Sequence, residues 1–370
     1  MNRWISRVMR PVRRERGEMY LLLTLLSFAA SVAGTRFFLE LTGFPQLGNS
    51  TLHIAHVLWG GLFLFAASLL PLIFSNRWVY STGAILAGLG VGLFIDEVGK
   101  FITQTNDYFY PGAAPIVYAF FLLTVLIYLR VRKPSQRDPR SELYQTLDSF
   151  QEILDHDLDP FEKKRLEENL HYVIQYAEHP DLVHLAEHLQ SFLRSDLLHV
   201  APELPTFLER TQAWALRFEA RLLSRKRQRA ILSGVGFALG VLAMINFLRL
   251  VIGAREPEHL ELWLADLIQF SPIEDLRGFL WFMTRVCLEG SVGFLLLAGS
   301  VMLMLGRDEW GVTLLYYSLL LSLAVTNLLV FYFDQFSTIL PASAQFLLLL
   351  GLSRYRRRAI SEDGAWIPAA

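Results

Sequence analysis

The chain has 370 residues, of which 53% are hydrophobic and 19% charged, with a formal net charge of -1. Basic and acidic residues nearly cancel and are mixed through the polar segment between the apolar runs, so a nucleic-acid partner is not expected. The single cysteine, Cys287, excludes an internal disulfide and a cysteine-based zinc site.

The average hides two populations. Long apolar runs with polar punctuation fill 19–132 and 230–352, whereas 133–229 is dense in Glu, Arg, His and Leu. A helix crosses a hydrocarbon core with about 20 mostly apolar residues, because its backbone polar groups are satisfied internally. On that measure the sequence predicts an all-α polytopic transmembrane bundle of about eight helices, at 19–43, 53–74, 78–102, 112–129, 230–252, 279–305, 310–333 and 338–352. The expected domains are a first membrane half at 1–132, a cytoplasmic helical domain at 133–229, a second membrane half at 230–358 and a disordered cytoplasmic tail at 359–370. The first apolar run is full length and continues into Arg36 and Glu40, which fits a retained helix rather than a cleaved signal peptide.

Lys and Arg accumulate on the cytoplasmic side of membrane helices. Arg3, Arg7, Arg10, Arg13, Arg14 and Arg16 place the N-terminus inside, and threading from there puts Arg77, Arg130, Arg132, Lys133, Arg307 and the basic groups at 226–229 and 354–358 inside as well. Both termini are then cytoplasmic, and the lipid bilayer is the first partner. The predicted outer segment 254–278 is acidic, with Leu260, Trp263, Leu264, Leu267 and Ile268 at helical spacing. It reads either as a helix along the outer interface or as a loop helix packed on the bundle.

Within 78–102, Ala84, Gly88, Gly92, Asp96 and Lys100 recur every fourth residue, a stripe of small residues ending in an ion pair. Small stripes let helices approach closely in lipid. His53 and His56 open the preceding helix on a face shared with Gly60 and Ala67. If the two small faces meet, the histidines come to Asp96 and Glu97. No comparable stripe surrounds Gly236, which is expected to tolerate a larger side chain better than Gly92 does.

His53, His56, Asp96, Glu97, Lys100 and Asp107 are the candidate catalytic residues, with Asn106, Tyr108 and Tyr110 in the loop beside them and Arg36 and Glu40 spaced as a pair. Clustered ionisable groups near a membrane are functional candidates. His53, His56, Glu97 and Asp107 offer a nitrogen and oxygen set for a divalent metal. A proton relay or acid/base pair uses the same residues. One-turn pairs between Asp96 and Lys100 and between Arg36 and Glu40 are the purely structural alternative.

In the inserted segment, Asp159, Pro160 and Glu162 form a capping signature before a helix carrying Phe161, Leu166, Leu170, Val173 and Ile174. A second helix follows Pro180 with Leu182, Leu185, Ala186, Leu189, Phe192 and Leu193 on one face. A third begins after Pro205 and leads into the fifth membrane helix. His184 and His188, one turn apart, fit a solvated face better than a metal site. The mixed charge of this domain suits a protein partner.

Aligning the second predicted helix with the sixth pairs Gly61 with Gly293, Ala66 with Ala298, Ser68 with Ser300 and Trp78 with Trp310. The register continues to Phe101 with Phe333. This suggests a parallel repeat of two four-helix halves. Arg285 and Leu288 then stand at the positions of the histidines, and Leu328 and Leu329 at those of Asp96 and Glu97. Arg285, Glu289 and Asn327 remain as polar residues in a half that reads as scaffold.

The strings HIAHVLWGG, GLFIDEVGKFIT and NDYFYPGAAPIVY resemble an uncharacterised family of bacterial multi-pass membrane proteins. That resemblance covers roughly the first 130 residues, implies the bacterial cytoplasmic membrane and names no activity. A fainter similarity is to VanZ-like envelope proteins, in which a histidine at the start of one helix precedes an acidic residue on the next. The Asp-Lys pair expected before that histidine is absent, so a glycopeptide-resistance role does not carry over. Three function classes remain open: a membrane-embedded enzyme or small-molecule binder at the outer leaflet, a transporter or channel, and a scaffold acting through the cytoplasmic domain.

Overall fold

A computed structural model describes residues 11–43, 55–133, 137–195, 198, 200, 225–253 and 276–363. All regular structure among them is helical. Long apolar runs give α1 (Gly17–Thr42), α2 (His56–Ile73), α3 (Trp78–Asp96) and, after the short α4 (Val98–Ile102), α5 (Ala113–Arg132). The polar insert forms α6 (Pro139–Ser149), α7 (Gln151–Leu154), α8 (Pro160–Tyr176) and α9 (Pro180–Leu193). The second half contributes α10 (Arg225–Gly253), α11 (Leu276–Met304), α12 (Asp308–Leu321), α13 (Asn327–Asp334) and α14 (Ile339–Asp363). His53, the acidic segment at 254–275 and the predicted helix after Pro205 lie outside the described residues.

Seven helices among the described residues are long and apolar enough to cross a membrane. The eighth predicted window does fold as a helix, α14, but it falls short of that standard. Its apolar stretch is brief and carries Gln345, and the helix then continues through Arg354 and Arg356. α14 runs on to Asp363, so the first residues of the expected disordered tail are helical.

The chain divides into two compact units. In the first, comprising Met1–Ser31, Leu58–Gly92 and Leu123–Gln212, the insert builds its own core. Asp159 accepts from the Glu162 backbone N–H at 2.8 Å while the Glu162 carboxylate accepts from Asp159 N–H, the capping box expected from the sequence. Asp138 caps α6, a helix the sequence reading did not place, with Pro139 in its first turn. Such caps contribute about 1 kcal/mol each. Leu143, Leu158, Leu166, Leu170, Val173, Ala186 and Leu193 form the core between α6, α8 and α9. Phe161, expected on that inner face, is instead 70% exposed, because it sits in the first turn of α8 ahead of the residues that meet α6 and α9.

The same unit ties the insert to the ends of α1–α3 through ion pairs. Glu15 accepts from Arg77 at 3.5 Å and Arg165 at 2.6 Å, Arg77 also pairs with Glu152, and Arg16 reaches Glu162 at 2.8 Å. α1 and α3 meet where the small stripe predicted contact. A Cβ on Gly88 would lie 2.0 Å from Ser27 Oγ, and one on Gly92 would lie 2.6 Å from Ser31 Cβ. The partner of the stripe is therefore α1, not α2. α2 approaches α3 at Gly90, off the stripe, with Gly60 O 2.8 Å from where a Cβ on Gly90 would stand.

The second unit comprises Val32–Val57, Leu93–Leu122 and Ala213–Ala370. Its main core joins α10, α11, α12 and α14 through Leu239, Leu296, Leu303, Leu315, Leu348 and Leu352. Gly236 is as confined as Gly92, with Ser300 Oγ 2.7 Å from where its Cβ would stand, which corrects the expectation that it tolerates bulk. Between α12 and α13 the ladder loosens into a π-turn, Ser322–Thr326. Tyr118 of α5 donates to Leu323 O at 2.5 Å there and stacks on Phe331 at 4.6 Å between ring centres.

Candidate functional site

The site lies within the second unit, at the end of α3. The α3 ladder stops at Asp96, and Glu97 takes φ -92° and ψ 12° before α4 begins. That conformation falls in a sparsely populated bridge region of backbone space. The break replaces the expected Asp96–Lys100 pair: Lys100 Nζ reaches Glu97 Oε1 at 3.3 Å instead. Gly99 lets the following loop return, since a Cβ there would stand 2.6 Å from Asp107 O. This close return brings Tyr108 over the end of α3.

Asp96 is fully buried and has three side-chain partners. Arg36 Nε donates to Oδ1 at 2.6 Å, Tyr108 OH donates to Oδ2 at 2.8 Å, and His56 Nε2 lies 3.1 Å from Oδ2. Arg36 Nη2 adds a bond to Asp96 O at 3.2 Å. The other ring nitrogen, His56 Nδ1, is 3.0 Å from Glu97 Oε1. Glu97 is itself 1% exposed, and the His56 side chain keeps 22% of its surface. An unbroken chain of contacts thus runs from Tyr108 through Asp96, His56 and Glu97 to Lys100.

Hydrogen-bond chemistry sets the proton count of this chain. An ionised carboxylate only accepts, and a neutral imidazole donates from one nitrogen alone. For both ring contacts to be hydrogen bonds, the group must carry one proton more than neutral His56 and two carboxylates hold. Burial, and then the charge of Asp96, push the Tyr108 hydroxyl well above the usual tyrosine range. Tyr108 is therefore a fixed donor to Asp96.

Of the sequence candidates, His56, Asp96, Glu97 and Lys100 come together. Of the expected metal donors, His53 lies outside the described residues, His56 contacts Glu97, and Asp107 turns its Oδ1 to Phe109 N–H at 2.8 Å. Both His56 nitrogens already face carboxylates, and no group of three or more metal-type donors converges among the described residues. His184 contacts Glu187 at 3.4 Å on an exposed face of α9.

Arg36 was expected to pair with Glu40 one turn away. Its guanidinium instead bonds Asp96 and lies over the Tyr108 and Phe336 rings, 4.3 and 3.6 Å from their centres. A second ion cluster, not anticipated from the sequence, joins Arg285 to Glu289 at 3.3 Å and, through both terminal guanidinium nitrogens, to Asp334. The signal available for it was Arg285 and Glu289 at one-turn spacing, with Asp334 at the end of an apolar run.

Comparison of the chain with protein-family models, curated protein sequences and solved structures finds no match. The site is therefore read from its own geometry.

Proposed function

We propose that this chain is a multi-pass integral protein of the bacterial inner membrane, with both termini and the helical insert cytoplasmic. Its outer end carries a proton-exchanging site that performs acid/base chemistry on, or proton-coupled binding of, a small molecule. Support for membrane embedding comes from the seven apolar helices and from large side chains left on their surfaces, such as Leu41 at 70%, Phe65 at 60% and Leu72 at 80% exposure. In water such faces would be costly, at about 25 cal/mol per Å² of apolar surface. The links from Arg16 and Arg77 to the insert support placing all three on one side. The four-plus-four repeat draws support from Gly83 against Ala67 O at 3.6 Å and Gly299 against Leu315 Cγ at 2.9 Å, which are equivalent pairs in the two halves.

The observation that carries the functional reading is His56, one-fifth exposed and held between two buried carboxylates. A structural ion pair needs no titrating group between its acids, and Arg36 and Lys100 already balance Asp96 and Glu97. The test is nitrogen NMR on histidine-labelled protein in detergent, with the His56 signals assigned by their loss in His56→Gln. A ring protonated at both nitrogens at neutral pH is expected. So is loss of complementation in a deletion strain carrying a folded His56→Gln variant. A singly protonated ring together with full complementation would reduce the cluster to architecture.

One observation favours the transporter reading beside this one. The π-turn brings Ser322, Asn327 and Gln345 together, with Asn327 Nδ2 donating to Gln345 Oε1 at 3.0 Å. Interrupted helices with buried polar groups are where membrane transporters place substrates and ions. Unchanged complementation by a folded Asn327→Leu, Gln345→Leu double variant would remove this reading.

A further inference from the structure

The last residue of α13 and the two that follow make three contacts, each to a different element of the second unit. Asp334 takes both terminal nitrogens of Arg285 on α11. Gln335 Nε2 donates to Phe109 O, next to Tyr108, at 3.3 Å. Phe336 places its ring 3.6 Å from the Arg36 guanidinium carbon. Gln335 does this at φ 50° and ψ -134°, a conformation that belongs to glycine at the first central position of a tight turn. A glutamine held there is strained, and such strain persists where surrounding contacts over-determine it.

We propose that Asp334, Gln335 and Phe336 form a positioning clamp through which the second half of the chain orients Arg36 and Tyr108 on Asp96. It rests on the reading of the His56 cluster as the working site. The physical logic is one of restricted freedom. A guanidinium is planar, and a ring over its face leaves only the edge donors free to choose a partner. With Phe336 on its face, the Arg36 fork turns its Nε and Nη2 to Asp96. Gln335 holds the backbone beside Tyr108, whose hydroxyl takes the other carboxylate oxygen. Both acceptor oxygens of Asp96 are thereby directed, and Oδ2 faces His56. Phe336 meets the cluster at Arg36 and Gln335 meets it beside Tyr108, so they act through those two residues.

Three variants of the full chain in detergent test this, read by the nitrogen signals of His56 and by thermal unfolding. Gln335→Gly suits the observed backbone and removes the amide contact, so its unfolding temperature should equal or exceed that of the wild type while the His56 signals shift or broaden. Phe336→Leu should move the same signals, and Phe336→Tyr, which keeps the ring, should restore them. A purely structural role predicts the reverse for Gln335→Gly, with unchanged signals in a more stable protein. His56 signals at wild-type positions in both Gln335→Gly and Phe336→Leu would overturn the clamp. The comparison between variants decides the clamp, whereas the protonation state of the wild-type ring decides the proposed function, so each can fail alone. Should Phe336→Leu not fold, Gln335→Gly carries the test.

Discussion

Two arginine–carboxylate clusters sit in the same unit and differ in what surrounds the acid. Asp96, paired with Arg36, is completely buried, whereas Asp334, paired with Arg285, keeps 41% of its side-chain surface. Around Asp96 the positive partners are matched by acids and a histidine is inserted as a third party. Around Arg285, among the described residues, one cation contacts two acids, Glu289 and Asp334. The difference teaches that an ion pair alone does not mark a site. The Arg285 cluster has the composition of a lock, while the Asp96 cluster adds a titrating group between two carboxylates.

The sharpest break of this comparison is to neutralise each acid in turn. Asp96→Asn leaves Arg36 charged in a buried setting, and breaking a buried pair from one side costs about 3–5 kcal/mol. Asp334→Asn leaves the buried Arg285 with Glu289 alone, and because Asp334 is itself part-exposed a smaller loss than for Asp96→Asn is expected. Unfolding in detergent measures both. Equal losses would mean that burial does not separate the clusters. In a double variant, the partner to remove with Asp96 is Arg36, while Lys100 belongs with Glu97.

A smaller effect separates packing from charge. Gly92→Leu drives a side chain into Ser31 on α1, and Gly236→Leu drives one into Ser300 on α11, so both should lose about 1–3 kcal/mol to overpacking. Gly234, one residue pair away on α10, has nothing within 4 Å of its Cβ position and should accept leucine with little change. If only Gly92→Leu were destabilised, close packing would be a property of the half that holds His56 and not of both.

What the sequence could disclose follows from the range of each interaction. The apolar runs, the capping box at Asp159 and the small stripe of α3 are local patterns, legible because helical periodicity and caps act over one or two turns. His56, Asp96, Glu97 and Lys100 were legible as a group from helix ends. Their pairings were not. A one-turn rule joins Arg36 to Glu40 and Asp96 to Lys100, but Arg36 bonds an acid sixty positions away and the bridge conformation at Glu97 turns Lys100 aside. Asp334 was hidden for the same reason, since its partner Arg285 lies on another helix. The π-turn at Ser322–Thr326 leaves no glycine or proline to announce it. α6 has few apolar positions, so its periodicity is faint, and only Asp138 and Pro139 mark its start.

The finest distinction concerns Tyr108, which has no counterpart at the Arg285 cluster. Tyr108→Phe removes one hydroxyl from Asp96, which keeps Arg36 and His56, so the loss should be about 1 kcal/mol. Its pH dependence identifies the hydroxyl as the cause. The folded tyrosine is pushed up by burial and by Asp96, while in the unfolded chain it ionises near pH 10. Its stabilising contribution is therefore complete below about pH 10, and it is lost as pH rises above that value toward the folded one. The gap between wild type and Tyr108→Phe should stay constant up to about pH 10 and then narrow by about 1.4 kcal/mol per pH unit. The remaining tyrosines titrate in both proteins and cancel. A gap that held constant through pH 11, or one that narrowed already near neutrality, would mean that Tyr108 is not a buried donor to Asp96, and the chain of contacts would then begin at Asp96.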